Sequence, residues 1–177
     1  MSGRIYARSC FVAAASLLAL AFCVAADAPK DKTGPKDAGF AAMEGLVGTW
    51  VSAKAPKAGE KPGTIVFKLV SGGSALMESM LPGTDREMVN MYTADDKGVV
   101  MTHYCAMGNQ PRLRLASIEK GVLKFEFVDG GNLKSRDSMH MDSLEITING
   151  DHLTEKWASY SDGKVGAIHS FELIRQK

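Results

Sequence analysis

The chain has 177 residues, 45% of them hydrophobic, with 18 glycines and only 6 prolines. That is enough apolar material for one ordinary domain with its own core, and it excludes a collagen-like repeat or a globally disordered chain. Lys and Arg number 21 against 20 Asp and Glu, with no long run of one sign, so the charge gives no basis for a nucleic-acid partner.

Residues 1–26 read as a secretory signal peptide. Arg4 and Arg8 form a positive start, an apolar stretch runs from Cys10 to Ala26, and Val24-Ala25-Ala26 offers small residues at a cleavage point before Asp27. The alternatives are an uncleaved anchor, for which the stretch is barely long enough, and lipidation at Cys23, which Phe22 disfavours. Cleavage removes two arginines and no acid, turning a formal charge of +1 into −1. It also removes Cys10 and Cys23. Cys105 is then the last cysteine, no intrachain disulfide is possible, and the thiol is expected to be buried. The expected location is periplasmic or secreted, with no stable membrane span after cleavage. Residues 27–39, DAPKDKTGPKDAG, have no apolar periodicity and read as a flexible linker.

A single domain is expected over 40–177. Phe40, Met43 and Leu46-Val47 recur at helical spacing and predict a short amphipathic helix over about 38–46. From Gly48 the pattern changes to period two. Strands are predicted at 49–53, 64–70, 74–81, 87–93, 98–105, 112–118, 122–128, 143–149, 152–160 and 166–175. Glycine-rich turns separate them, and Asn149-Gly150 is a strong hairpin signal. No long helical segment lies between strands, which disfavours parallel βαβ units. Leu123, Phe125 and Phe127 alternate with Lys124 and Glu126. Leu144, Ile146 and Ile148 alternate with Glu145 and Thr147. One wet face per strand and short connections predict an all-β antiparallel up-and-down barrel of about eight to ten strands, with a short N-terminal helix.

Gly48-Thr49-Trp50 at the start of the first strand and Arg175 on the last resemble the calycin arrangement of lipocalins and their relatives. In that arrangement a Gly-x-Trp opens the first strand and an arginine stacks over the indole; the resemblance implies structural roles for Gly48, Trp50 and Arg175. LVGTW at 46–50, THYCAMGNQPRLRL at 102–115 and DHLTEKW at 151–157 resemble an uncharacterised family of secreted bacterial proteins with a lipocalin-like barrel. This resemblance implies a fold and no catalytic residues. A related barrel family binds haem through a histidine near its C-terminal end, the place His169 occupies here, but the rest of that family's pattern is missing.

The densest polar cluster runs from His103 to Arg112. His103, Tyr104, Asn109, Gln110 and Arg112 are candidates to line a barrel mouth, or else to stitch a structural turn. Glu78 lies between Leu76 and Met80, and Glu155 between Leu153 and Trp157, both on faces that read as internal. An inward carboxylate must be paired or hold its proton, and His103, Arg112 or His169 are the candidate partners. The four histidines form no chelating motif. Met139-His140-Met141 offers soft ligands, but ten methionines in the chain argue for core filling. No cofactor and no metal are therefore expected. The leading function is non-catalytic binding of a small hydrophobic or amphipathic ligand inside the barrel, at Glu78, His103, Tyr104, Asn109, Gln110, Arg112, Glu155 and His169. The alternatives are a structural or interaction protein with a filled barrel, and an enzyme using Glu78, His103 and Glu155 as acid and base.

Overall fold

The computed structural model describes residues 38–59 and 61–177. The signal peptide at 1–26 and all but the last two residues of the linker lie outside the described residues. The helix α1 (Ala38–Met43) continues into a 3-10 turn at Glu44–Leu46. It is too short to stand alone in water. It holds because Phe40, Met43 and Leu46 are all buried in the main core. Its start at Ala38 takes two residues from the expected linker.

Ten strands follow: β1 Gly48–Ser52, β2 Thr64–Val70, β3 Ala75–Met80, β4 Met88–Asp95, β5 Gly98–Tyr104, β6 Gln110–Glu119, β7 Val122–Gly131, β8 His140–Asn149, β9 His152–Ser161 and β10 Lys164–Arg175. Each pairs antiparallel with its sequence neighbours, and β1 pairs with β10 to close the barrel. Closure removes the free edges that an open meander of this length would expose. The alternation read from the sequence sets the faces: Ile65, Phe67, Leu76, Tyr92, Val99, Met101, Leu113, Leu123, Phe125, Leu144, Ile146, Leu153, Trp157 and Leu173 all pack into one core. The outer face carries charge, including the Arg114–Asp95 ion pair.

Strand direction gives the barrel two distinct ends. At one end lie the start of β1 and the end of β10, with Trp50 opposite Arg175 in register. The indole N–H of Trp50 donates to the Leu46 carbonyl at 2.8 Å. The Arg175 guanidinium lies 4.0 Å over the indole ring and donates to the carbonyls of Val47 and Gly45. Gly48 is needed twice here. Its φ is +135°, and a Cβ at this position would meet Arg175 Nη1 at 2.9 Å. At the other end β1 stops at Ser52 and pairs with β10 only from Leu173 onward. Up to Glu172, β10, including His169 and Phe171, therefore has β9 as its sole ladder partner. The core also differs between the ends: the helix fills the first, and polar side chains enter the second.

Candidate functional site

Three adjacent strands place Glu78, Asn90 and His103 in one row. Glu78 is the cross-strand partner of Asn90, and Asn90 that of His103. All three are buried and face inward, as does Tyr92, two residues along β4 from Asn90. The opposite wall supplies Glu155 and Trp157 from β9, also two residues apart and both buried. The barrel thus brings together from β3, β4, β5 and β9 residues far apart in the chain.

The hydrogen bonds fix most of the protons. Asn90 Nδ2 and the Tyr92 hydroxyl both donate to Glu78 Oε2, at 2.7 and 2.6 Å. The indole N–H of Trp157, which can only donate, reaches Glu155 Oε2 at 3.0 Å. The remaining oxygens, Glu78 Oε1 and Glu155 Oε1, are buried without a hydrogen-bond partner, and the two carboxyl groups are close enough for each to shift the other's pKa. Two buried carboxylates that close cannot both ionise. Burial raises Glu78 from 4.5 to about 7, against the pull of the Tyr92 and Asn90 hydrogen bonds. Burial, followed by the charge of Glu78, raises Glu155 well above the usual carboxyl range.

Asn90 carries the pattern on to His103. Its amide nitrogen is committed to Glu78, so its Oδ1 faces His103 Nδ1 at 2.6 Å. Nδ1 must then bear the ring proton. Burial lowers the His103 pKa from 6.5 to about 4, so the ring is neutral near pH 7. Its Nε2 is buried and has no hydrogen-bond partner.

His103 also forms the floor of a cavity of about 200 Å³, lined with it by Met80, Met88, Met141, Trp157, His169 and Phe171. The His103 and Trp157 rings sit 5.1 Å apart. Apart from the two histidines the lining is apolar. The cavity lies at the end away from the helix, with exposed His169 at its lip. A second hollow of about 210 Å³ runs beside the helix against Val99 and residues 115–118. Its wall includes the exposed Ala116 and Ile118, and it contains no charged side chain.

The structure places the candidates read from the sequence very differently. Glu78, Glu155 and His103 meet inside the barrel, and His169 reaches the same cavity. The expected polar cavity is corrected: the carboxyls lie outside the cavity's lining, which is apolar apart from the two histidines. Neither Arg112 nor His169 is their partner. Arg112 is on the outer face in an ion pair with Asp129, because its neighbours Pro111 and Leu113 take the inward positions. Tyr104, next to inward His103, is exposed. Asn109 is buried but donates to the Met139 carbonyl at 2.8 Å, and Gln110 donates to the Gly108 carbonyl at 3.0 Å. Asn109 thus ties the turn between β5 and β6 to the residue before β8, and Gln110 bonds within that turn. Cys105, expected to be buried, is half-buried in that turn.

His140 is held on both sides, by the Ser138 carbonyl and by Arg136. Arg136 stacks in turn on Tyr160 and Phe127. His140 therefore pins the loop before β8. No group of three His, Cys, Asp or Glu among the described residues is arranged to hold a metal ion.

Asn90 and Tyr92 were missed in the sequence, although a signal existed. On β4 the alternation Met88, Asn90, Tyr92 puts an amide between two core residues, and a buried amide needs partners on both of its ends. No protein-family model and no curated protein matches this chain.

Proposed function

We propose that this protein is a non-catalytic binding protein that holds a small, largely apolar ligand in the end of its barrel away from the helix. One observation carries the reading: a cavity of about 200 Å³ walled by methionine and aromatic side chains, with one buried polar residue, His103, in its wall. Pockets for drug-sized ligands span roughly 300–1,000 Å³ and combine apolar walls with a few placed polar groups. This one follows that recipe at smaller size, so its ligand is small. Acid–base chemistry by Glu78 and Glu155 has less support, because neither lines the cavity.

The apolar start of the sequence supports export to the periplasm or beyond. Gly48, Trp50 and Arg175 support kinship with secreted lipocalin-like barrels. No helix among the described residues is long and apolar enough to cross a membrane. The balanced charge gives no support to a nucleic-acid partner.

Toluene is a suitable probe. Trp157 is in the cavity wall, whereas Trp50 is sealed under Arg175 at the other end. Titrating toluene into the native protein should change the tryptophan fluorescence saturably. A flat response up to the solubility limit contradicts the reading.

A further inference from the structure

The binding reading leaves open which small molecule the cavity selects. The hydrogen bonds behind the cavity narrow the choice. Tyr92 and Asn90 both direct donors at Glu78, which orients the Asn90 amide and leaves its oxygen for His103 Nδ1–H. The imidazole is thus locked in one tautomer, with the Nε2 lone pair as its remaining hydrogen-bonding group. Outer partners that fix a histidine's tautomer set what its other nitrogen can do. Here that nitrogen accepts. It is buried, without a partner, on a residue of the cavity wall. Leaving a buried acceptor unpaired is costly, and a donor that reaches it recovers that cost.

Charge restricts the ligand further. The cavity lining contains no acidic side chain and no Lys or Arg. An anion would find no donor at Nε2. A cation would find no carboxylate in the lining. Burying an unpaired charge costs far more than the cavity's apolar walls return. The matching ligand is neutral.

We propose that this barrel selects a neutral apolar molecule about one aromatic ring in size, carrying a single hydroxyl or N–H that donates to Nε2 of His103. The inference rests on the binding reading and adds the ligand's chemical class. A site built around one hydrogen bond discriminates strongly against isosteres that lack the donor.

Phenol and toluene differ by that donor alone, and ¹⁵N NMR of histidine-labelled native protein reads the atom concerned. In the free protein Nε2 should give the signal of an unprotonated ring nitrogen. Phenol should move that resonance saturably, and toluene should leave it nearly in place while still changing the Trp157 fluorescence. In His103→Phe the affinity ratio of phenol to toluene should fall about tenfold, the worth of one hydrogen bond of ordinary strength. If both compounds bind and the Nε2 resonance ignores phenol, the donor class is wrong and the binding reading stands. A protonated Nε2 in the free protein also overturns the proposal. If neither compound binds, both readings fall together. The wild-type spectra decide the matter even if His103→Phe does not fold.

Discussion

The two tryptophans mark what separates the ends of this barrel. Both are buried and both donate their indole N–H, but to different kinds of acceptor. Trp50 donates to the Leu46 backbone carbonyl, under the Arg175 guanidinium and against the helix. Every polar atom named around it is matched by a fixed partner, so that end is built to be closed. Trp157 donates to Glu155, whose other oxygen is buried without a hydrogen-bond partner. Its ring looks onto His103 and a cavity. The same residue type serves as a plug at one end and as a wall at the other, because of what its neighbours leave unfilled.

The largest expected effect is at the closed end. Trp50→Ala should cost about 3–5 kcal/mol in denaturant unfolding, since the helix, Arg175 and Gly48 are all shaped to the indole. A loss below about 1 kcal/mol would erase the distinction between the ends. Asn90→Ala should cost somewhat less, about 2–3 kcal/mol, by leaving His103 Nδ1–H without a buried partner and Glu78 with Tyr92 as its one donor. Its toluene response should survive if the variant folds, because Asn90 is not in the cavity wall.

The carboxyl pair should make stability depend on pH near neutrality. The folded state raises the pKa of both acids, so it holds protons that the unfolded chain has released. Their contribution is complete below about pH 4.5 and is lost as pH rises through about 7. His103 acts in the opposite sense: depressed to about 4, it favours the fold above about pH 6.5 and opposes it as pH falls. Between those limits the effects offset; above about pH 6.5 the carboxyls act alone. Wild-type stability should therefore fall as pH rises from about 6.5 through about 7. Glu155→Gln should flatten that slope by up to about 1.4 kcal/mol per pH unit. Equal slopes in the two proteins would show that the pair does not set the pH dependence. The smallest effect is outside the barrel: Arg112→Ala should cost no more than about 1 kcal/mol, as for other exposed ion pairs, and leave the toluene titration unchanged.

Most of the fold was legible because period two is a local property. Leu123, Phe125 and Phe127 alternate with charged neighbours whatever the rest of the chain does, and ten such runs with short turns leave few ways to bury them. The closed end was legible for the same reason, since Trp50 and Arg175 sit near the two termini of the domain where their pairing follows from closure. The site was legible only in part. Parity alone turns Glu78, His103 and Glu155 inward. It also turns Arg112 outward, because Leu113 beside it must face the core; reading the His103–Arg112 stretch as one cluster overlooked that alternation. The raised carboxyls and the tautomer of His103 depend on Asn90 and on side chains meeting across the barrel. The cavity depends on how Met80, Met88, Met141 and Phe171 fill the space between walls. No local pattern encodes a volume.

The most direct test sets the ends against each other in one spectrum. With ¹³C-methyl-labelled methionine, Met80, Met88 and Met141 report on the cavity, and Met43 reports on the closed end beneath the helix. Adding toluene should shift the first three methyl resonances along a common saturation curve and leave Met43 in place. Shifts of equal size at all four, or at none of them, would contradict a barrel with one sealed end and one receptive end.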